Sequence, residues 1–425
     1  MDEVEALSPE YRERTYTPAK TLSMFLTQAM SADRSCQHIV NQAAVLSLSQ
    51  HQNPVSTRTG AYCKARQKLP VDMVRQLARY LGQSIDQHVP VLWRWQGRRI
   101  RLVDGTTVTM PDTEANQSQF PQQSVQEPGL GFPICRIVGI TCLSSGALLN
   151  AAIGRYSGKG GDEQTLLRSI QETFEAGDIV MGDAFFATYF FIAAMQSRGV
   201  DILMEQNGSR KRSTDFRKGK KIGKRDHLIE LTKPRRRPDW MSVEDYEMAP
   251  ETITVRELKV GDKILVTTLT DPKKYSKDDL KSCDKQRWNI ELDIRNIKET
   301  MGMNILSCKS PEMAVKEIWV YLLAYNLIRL MMAQSALLSD IVPRQISFKH
   351  CLQLWGVYLQ SAIVLNEDQL HRLFMLMSQQ KVGNRPGRIE PRAVKRRPKP
   401  FPFLDKPRQE AREEIRRNGH PKKAK

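Results

Sequence analysis

The sequence predicts an α/β protein with a mixed sheet covered by helices on both faces, a helical N-terminal region and a β-rich insertion. Three observations predict this class. Residues from about 19 to 90 repeat apolar side chains at helical spacing. From residue 93 onward, short apolar strands are followed by alternating helices and strands. Residues 251–270 alternate apolar and polar side chains, which is typical of an antiparallel hairpin.

Composition predicts a folded protein with a polyanionic partner. The chain has 425 residues, 40% hydrophobic and 26% charged, and a formal net charge of +18. Segment 209–237 has 13 Lys/Arg against 3 Asp/Glu, and segment 381–425 has 16 against 5. A solvated charge run is the simple explanation of one basic segment. Two segments that hold the whole excess favour binding to the phosphates of nucleic acid.

Cysteine usage and hydropathy predict a cytoplasmic location. The seven cysteines form no C-x-x-C pair, which is typical of reduced thiols rather than a disulfide framework or a zinc site. The charged N-terminus lacks the apolar core of a secretion signal. The most apolar stretch, residues 318–338, contains Asn326, Arg329 and Gln334. It is therefore predicted to be a buried helix, and no membrane partner is expected.

The chain is expected to divide into five segments. Residues 1–92 form a helical DNA-binding region, with a helical cap on the following domain as the alternative. Between its two strongest helices, residues 51–70 are expected to form a polar, basic loop. The core and its attachments follow: the first part of the α/β core at 93–208, the basic β-rich insertion at 209–273, the second part of the core with the C-terminal helices at 274–380, and a basic, Pro-rich tail at 381–425.

Each element of the core is predicted from its own pattern. A strand is predicted in 98–112, before the Asp-Gly turn, and two strands joined by Ser-Ser-Gly in 133–155. Segments 178–186 and 200–208 begin as strands buried on both faces. Helices are predicted at 160–177, where Asp162 and Glu163 suit the positively polarised start, at 187–199, and from about 277 through 338.

Three carboxylates occupy positions suited to catalysis. Asp104 and Asp183 each follow a predicted strand, and sites in α/β sheets form at the carboxyl ends of strands. Each alone also suits a turn or a helix cap. Glu291 lies in a predicted helix over 283–302, where Arg287 and Lys298 share its face. Ordinary ion pairing along a solvated face is the alternative explanation of that spacing.

These residue types together favour a magnesium site. Three carboxylates brought together would repel one another unless a cation lay between them. Mg²⁺ is a hard ion that prefers oxygen ligands, and two such ions can activate a water and stabilise a leaving oxygen in phosphoryl transfer. Arg287 and Lys298 would then hold phosphates beside the metal.

At these residues the chain resembles the DDE transposases of bacterial insertion sequences, in the group named after insertion sequence four. VDGTTVTMPD contains Asp104, VMGDAFF contains Asp183, and RWNIELDIRNIK contains the Arg-Glu-Lys part of the Y-x₂-R-x₃-E-x₆-K signature of the group. The tyrosine position falls on Asp284, so that part of the signature is missing. GAYCKARQKLP and RPGRIEPRAVKRRPKP also resemble segments of this group.

The resemblance implies a ribonuclease-H-like core and cut-and-paste transposition. Asp104, Asp183 and Glu291 would be catalytic and would hold two Mg²⁺ ions, with Mn²⁺ as a substitute. A metal-activated water would free a 3′-OH at the end of the element, and that 3′-OH would later attack target DNA. In characterised relatives it first attacks the opposite strand and forms a hairpin. The partners would be double-stranded DNA, as terminal inverted repeats and target, and a second copy of the chain in a homodimer. The location would be the bacterial cytoplasm, on the nucleoid.

The resemblance also implies DNA-binding residues outside the carboxylates. Arg287 and Lys298 would contact phosphates near the cut, and Trp288 or Trp240 would receive a base flipped out at the hairpin. Packing is the alternative role for both tryptophans. The basic insertion would follow the backbone of the transposon end, and the N-terminal region would recognise its sequence. The basic candidates are Arg210, Lys211, Arg212, Lys220 and Lys221 in the insertion, and Arg58, Lys64, Arg66 and Lys68 in the N-terminal region.

Two other functions stay open. One is a catalytically inactive DNA-binding protein that represses its own element; the missing tyrosine favours it, and the intact carboxylates argue against it. The other is a structure-specific, metal-dependent nuclease that cuts branched DNA and ignores element ends. The length of the chain, the insertion and the two basic segments fit the nuclease less well.

Overall fold

A computed structural model describes residues 2–8, 10–11, 15–49, 55–158, 160–361, 364–383 and 404–420. Within these residues the strands are β1 (Ile100–Thr109), β2 (Ile134–Cys142), β3 (Leu148–Arg155), β4 (Ile179–Met181), β5 (Asp201–Glu205), β6 (Lys220–Gly223), β7 (Asp226–Thr232), β8 (Thr252–Val260) and β9 (Lys263–Thr267). The helices are α1 (Asp2–Ala6), α2 (Pro18–Met30), α3 (Cys36–Ser49), α4 (Gly60–Lys68), α5 (Val71–Gln87), α6 (Glu114–Gln119), α7 (Glu163–Arg168), α8 (Tyr189–Ser197), α9 (Gly208–Ser213), α10 (Val243–Met248), α11 (Lys277–Gln286), α12 (Asn289–Arg295), α13 (Pro311–Leu338), α14 (Phe348–Ser361), α15 (Glu367–Gln379) and α16 (Arg408–Asn418).

The strands form one mixed sheet in the order β3-β2-β1-β4-β5-β9-β8-β7-β6. Strand β1 pairs antiparallel with β2 and parallel with β4. Strand β9 pairs antiparallel with β5, so the strands of segment 209–273 extend the main sheet rather than forming a sheet of their own. The predicted α/β class with a large mixed sheet is confirmed.

Apolar side chains cover both faces of this sheet. Because side chains alternate along a strand, neighbouring residues of β1 belong to different cores. Val103 packs in a core that includes residues of α7 and α8, whereas Leu102 packs on the opposite face with residues of α11. At β1, in the interior of the sheet, both faces are therefore closed to solvent, as the apolar strand pattern predicts.

The N-terminal helices share a core with the longest helix of the chain. Leu22 of α2 and Leu77 of α5 lie in one buried cluster with Ile318 of α13. The buried Lys316 of α13 donates hydrogen bonds to the carbonyls of Arg66 and Gln67 at the end of α4. Helices α2, α4 and α5 are thus packed onto the α/β core, which is the arrangement that the helical-cap alternative describes.

Helix α13 contains the most apolar stretch of the chain. Among the described residues it alone is long and apolar enough to cross a membrane by length and composition, and 78% of its most apolar window is buried inside the protein. Asn326 is fully buried and hydrogen-bonds to the backbone of Leu148 and Ala78, so its polar groups are satisfied by protein.

Four local predictions differ from the structure. The turn predicted at Asp104-Gly105 does not form, because β1 continues through both residues to Thr109 and pairs with β2 along that length. Residues 60–68, predicted as part of a polar loop, form α4, because Tyr62 and Arg66 are buried by tertiary packing; residues 51–54 of that loop lie outside the described part. The helix predicted over 160–177 ends at Arg168 and is followed by a 3₁₀ turn. The helix predicted over 283–302 is divided into α11, α12 and a π-helical turn, Asn296–Thr300.

Of the two further segments that resemble the transposase group, one lies within the described residues and the other does not. GAYCKARQKLP corresponds largely to α4. RPGRIEPRAVKRRPKP, at residues 385–400, lies outside the described residues. The division of the chain into five domains stays a prediction.

Candidate active site

The strand register places Asp104 and Asp183 side by side. Strands β1 and β4 run parallel, and their last pair is Leu102 with Met181. Asp104 lies two residues beyond Leu102, and Asp183 lies two residues beyond Met181. The two carboxylates therefore lie at the same level of the sheet, Asp183 just beyond the carboxyl end of β4 and Asp104 within β1, which continues to Thr109.

Backbone hydrogen bonds hold both carboxylates, and burial acts on Asp104. One oxygen of Asp104 accepts the N–H of Gly105 at 2.8 Å, and one oxygen of Asp183 accepts the N–H of Phe185 at 2.9 Å. Burial, with the added charge of Asp183, raises the pKa of Asp104 to about 6, although the Gly105 N–H and the Arg287 guanidinium act in the opposite direction. The raised pKa means that burial makes the charge of Asp104 costly in the absence of a cation.

Glu291 and its two basic neighbours lie on the face of β1 that carries Asp104. Arg287 Nη2 lies 3.4 Å from Glu291 Oε1. Lys298 Nζ donates a hydrogen bond of 3.1 Å to Thr106 Oγ1. Thr106 is two residues after Asp104 on the same strand, so the two side chains share a face. Burial lowers the pKa of Lys298.

The helix that carries these residues is irregular. The backbone tightens at Arg287, whose N–H donates to the carbonyl of Asp284, three residues back. Beyond α12 the turn widens, and Met301 N–H donates to the Asn296 carbonyl, five residues back. Lys298 lies within this π-helical turn. The seven-residue spacing from Glu291 to Lys298 therefore spans a turn wider than the regular helix that the sequence predicts.

The donor set of the Asp104–Asp183 pair fits a hard divalent cation. Two adjacent carboxylates, one with a raised pKa, gain most from a cation placed between them. Within the described residues there is no group of three or more His, Cys, Asp or Glu side chains arranged to hold a metal ion. Glu291 is instead held by Arg287, so the three carboxylates are not assembled as one ligand set.

The two candidate tryptophans lie in different surroundings. Trp288 is exposed in the turn between α11 and α12, directly after Arg287. Trp240 is half-exposed, with the Arg168 guanidinium 3.8 Å from the centre of its ring. Trp240 lines a cavity of about 320 Å³ together with Gln164. Gln164 donates a 2.6 Å hydrogen bond to the carbonyl of Phe185, so this cavity adjoins the loop that follows Asp183.

The basic residues predicted to bind DNA fall into three groups. Arg212, Lys220 and Lys221 are exposed, the last two on edge strand β6, distant in strand order from the Asp104–Asp183 pair. Arg210 and Lys211 of α9 form ion pairs of 3.0 Å with Glu257 and Glu205. In the N-terminal region Arg58, Lys64 and Lys68 are exposed, whereas Arg66 is 8% exposed. Arg66, one of the candidates for recognising the transposon end, is thus enclosed by the protein in this conformation, and its part in that recognition stays a prediction.

Sequence reasoning missed Asp293, which fixes α12 to the core. Asp293 is fully buried and accepts hydrogen bonds from Arg329 at 2.5 Å and from both terminal nitrogens of Arg344 at 2.5 and 2.9 Å. A signal was present in the sequence, because Asp293 falls on the apolar side of the helix, between Ile290 and Ile297.

Sequence reasoning also assigned Glu163 only to the start of a helix. Its carboxyl lies against Gly105, where an added Cβ would be 2.4 Å from Glu163 Cδ. Burial raises the pKa of Glu163, and the nearby charge of Asp183 adds to this. Glu163 is thus a further carboxylate beside the pair, held 3.7 Å from Arg136.

Comparison with known proteins finds transposases among the matches. The family model described as "Transposase DDE domain" matches residues 95–327, which is more than half of the chain. "Transposase InsG for insertion sequence element IS4" of Escherichia coli (strain K12) is 30% identical over 358 residues, covering 81% of this chain and 78% of that protein. A cryo-EM structure of the piggyBac transposase synaptic complex with hairpin DNA covers 88% of this chain and 76% of its own, at 10% identity and a TM-score of 0.42.

Proposed function

The chain belongs to the IS4 family of DDE transposases and catalyses DNA transposition, and from this premise we propose that Asp104, Asp183 and Glu291 are its catalytic, metal-holding carboxylates. The observation that carries this proposal is the register of β1 and β4, which sets two carboxylates side by side, one of them with a pKa raised by burial. The reaction proposed is strand cleavage at the ends of an insertion sequence followed by 3′-OH strand transfer.

We propose that the core is ribonuclease-H-like, with segment 209–273 inserted before the catalytic helix. Strand order β3-β2-β1-β4-β5, with β2 antiparallel to its neighbours and β1, β4 and β5 parallel, supports this assignment. The insertion then continues the same sheet through β9. The proposed segments remain 1–92, 93–208, 209–273, 274–380 and 381–425.

DDE transposases depend on a divalent metal, and we propose two Mg²⁺ ions, with Mn²⁺ as a substitute. When bound, such ions supply activation of a water and stabilisation of the leaving 3′ oxygen. Asp104 and Asp183 would hold them from adjacent strands. Glu291 would join them once its pairing with Arg287 is exchanged, and Arg287 would then be available to a DNA phosphate. Lys298, already directed to β1, would hold a second phosphate beside the cut.

The hairpin route is supported by the cavity at Trp240. A base that leaves the stack needs an aromatic or apolar pocket near the cut. The cavity is lined by Trp240 and Phe190, whose rings meet edge to face at 6.2 Å, and it adjoins the loop after Asp183. An entering base would stack on Trp240 in place of the Arg168 guanidinium. Trp288, exposed beside Arg287, is the alternative receiver.

The proposed partners are terminal repeats, target DNA and a second copy of the chain. Arg212, Lys220 and Lys221 are exposed and suited to the backbone of the transposon end, where contacts position DNA without reading its sequence. Arg210 and Lys211 would join them by exchanging their carboxylate partners for phosphates. Pairing of two element ends requires a dimer. We place this reaction in the bacterial cytoplasm, on the nucleoid, and propose no membrane partner.

Metal-dependent cleavage tests the proposal. Purified protein is mixed with duplex DNA that ends in the terminal repeats flanking its gene, with and without Mg²⁺, and binding is measured in parallel. Wild type should nick the repeat boundary only with metal, and Asp183→Asn should bind but not cut. Asp278→Asn, which changes an exposed carboxylate of α11, is the matched control and should cut normally. A hairpin product would support the hairpin route.

Two outcomes would contradict the proposal. Binding by wild type without cleavage at any metal concentration would favour the repressor. Equal cutting of branched DNA and element ends, without strand transfer, would favour the structure-specific nuclease.

A further inference from the structure

An exposed phenylalanine lies in the loop that follows Asp183. Phe185 is 45% exposed, and it is two residues from one carboxylate of the candidate active site. Its neighbour Phe186 is 1% exposed and belongs to the core on one face of the sheet. Because apolar side chains stabilise a fold by leaving water, the packing of this loop depends on Phe186, and Phe185 contributes less to it.

Hydrogen bonds hold the backbone around Phe185. Its N–H donates to Asp183 Oδ1 at 2.9 Å, and its carbonyl accepts from Gln164 Nε2 at 2.6 Å. The preceding carbonyl, of Ala184, accepts from Asn207 Nδ2 at 3.3 Å. Gln164 lies in α7 and Asn207 is the N-cap of α9, so two other elements fix the loop. A ring presented by a fixed backbone loses little conformational freedom when it binds a ligand.

The proposed roles include no contact to the base that stays beside the cut. The basic residues assigned to the cut contact phosphates, and Trp240 or Trp288 would receive a base that has left the stack. Phe185 lies closer to the proposed chemistry, because its own N–H contacts the carboxylate of Asp183. A half-exposed aromatic ring at this point suits a base within one nucleotide of the phosphate that is cut.

We infer that Phe185 stacks on the terminal base of the transposon end and so positions the phosphate for cleavage. Every base has an aromatic face, so a phenyl ring stacks on it whatever the sequence of the end. The ring carries no charge, and it therefore competes with Asp183 for neither metal nor phosphate. Holding the terminal base fixes the adjoining phosphate relative to the carboxylates. The inference rests on the proposed function, since it requires that the element end binds at Asp104 and Asp183.

Binding of pre-cut transposon ends tests this contact on the full chain. The probes are duplexes that end at the boundary of the terminal repeat flanking the gene. One is intact, and two others lack the terminal base on one strand or on the other. Metal is omitted to prevent cutting, and affinity is measured by fluorescence anisotropy. Wild type should bind the intact end about tenfold more tightly than one of the two abasic ends, which is typical of one stacked base.

Three variants make the test specific to Phe185. Phe185→Ala should bind the intact end about tenfold more weakly than wild type and should not distinguish it from the abasic end. Phe185→Tyr keeps the aromatic face and should keep the distinction. Tyr80→Ala removes a ring of α5 that is 50% exposed, and it should also keep the distinction. Structural damage alone would weaken binding to intact and abasic ends by the same factor, which leaves their ratio unchanged.

Two results would overturn the role of Phe185. In the first, wild type binds the intact end and both abasic ends with equal affinity. In the second, Phe185→Ala still binds the intact end about tenfold more tightly than the abasic end. If wild type does not prefer repeat-ended DNA to an unrelated duplex, the proposed function is contradicted instead, and this inference fails with it.

Discussion

At the scale of single residues, the partly buried carboxyl of Asp104 makes the stability of the protein depend on pH. Its pKa is raised from 3.8 to about 6, so the folded protein binds this proton more tightly than the unfolded chain does. Stability is therefore lost as the pH rises from the unfolded to the folded pKa, and the loss is complete above the folded value. At neutral pH the raised pKa of Asp104 lowers the free energy of unfolding by about 2–3 kcal/mol.

We predict that Asp104→Asn stabilises the metal-free protein. Asparagine keeps an oxygen for the Gly105 N–H but carries no charge against Asp183. The unfolding temperature should rise at about pH 8 and should not rise at about pH 4, where aspartate is already protonated. Differential scanning calorimetry at both pH values measures this difference. Addition of Mg²⁺ should raise the unfolding temperature of wild type only, and a variant less stable than wild type at the higher pH would contradict the explanation.

The sequence predicts which side chains could take part in catalysis better than it predicts which residues surround a side chain. Asp183 and the Arg287–Glu291 pairing could be placed from a strand end and from helical periodicity, which are local patterns, whereas Asp104 lies within β1 and not at its end. Arg66 could not be placed in this way, because its burial depends on α2, α3 and residue 308 meeting around it. A basic residue in a polar segment gives no local sign that tertiary contacts will enclose it.

At the scale of elements, α12 holds its position through one buried carboxylate. Asp293 compensates both Arg329 and Arg344, which are 3% and 16% exposed. We predict that Asp293→Asn lowers the free energy of unfolding by about 3–5 kcal/mol, because two buried guanidinium groups lose their counter-ion. Denaturant titration measures this change. Glu299→Gln, an exposed change in the adjoining π-helical turn, should alter stability little.

If Asp293→Asn unfolds at the same denaturant concentration as wild type, the anchoring role of Asp293 is wrong. The folded fraction of this variant should also cleave DNA more slowly, since Glu291 lies two residues away on the same helix.

The end of the catalytic helix depends on a glycine. Gly302 has a φ of +85°. The Arg34 guanidinium packs against it, so its atoms would lie within 2.1 Å of an added Cβ. We predict that Gly302→Ala destabilises the protein by about 1–2 kcal/mol from the left-handed backbone alone. Gly356 of α14 has no atom within 4 Å of an added Cβ, so Gly356→Ala should be stabilising by up to about 1 kcal/mol. Thermal unfolding of both variants compares them, and equal effects would contradict this reading of Gly302.

The alternation of apolar and polar residues predicted where strands lie, but it did not predict which strands pair with each other. The alternation in 251–270 gave the hairpin of β8 and β9. Pairing of β9 with β5 joins the insertion to the main sheet, and no local pattern specifies it. The prediction of one continuous helix over 283–302 was wrong. The spacing of apolar residues gives no sign of the tightened turn at Arg287 or of the π-helical turn at Lys298.

At the scale of the whole molecule, the N-terminal helices and the α/β core form one packed unit. Leu77 of α5 is 6% exposed and lies in the same cluster as the fully buried Ile318 of α13. Because α5 also packs on β3, the DNA recognition proposed for this region would take place as part of the catalytic body. This arrangement would couple end recognition to the position of the catalytic helix.

We therefore predict that the N-terminal region and the α/β core unfold in one transition. Leu77→Ala should lower the free energy of unfolding by about 2–5 kcal/mol, since it opens a cavity in the shared core. Calorimetry and tryptophan fluorescence should report the same shifted midpoint, because none of the six tryptophans precedes residue 93. Tyr80→Ala, on the half-exposed side of α5, is the control and should change the midpoint little. A separate early transition that leaves the fluorescence midpoint unchanged would show instead that the N-terminal helices form an independent domain.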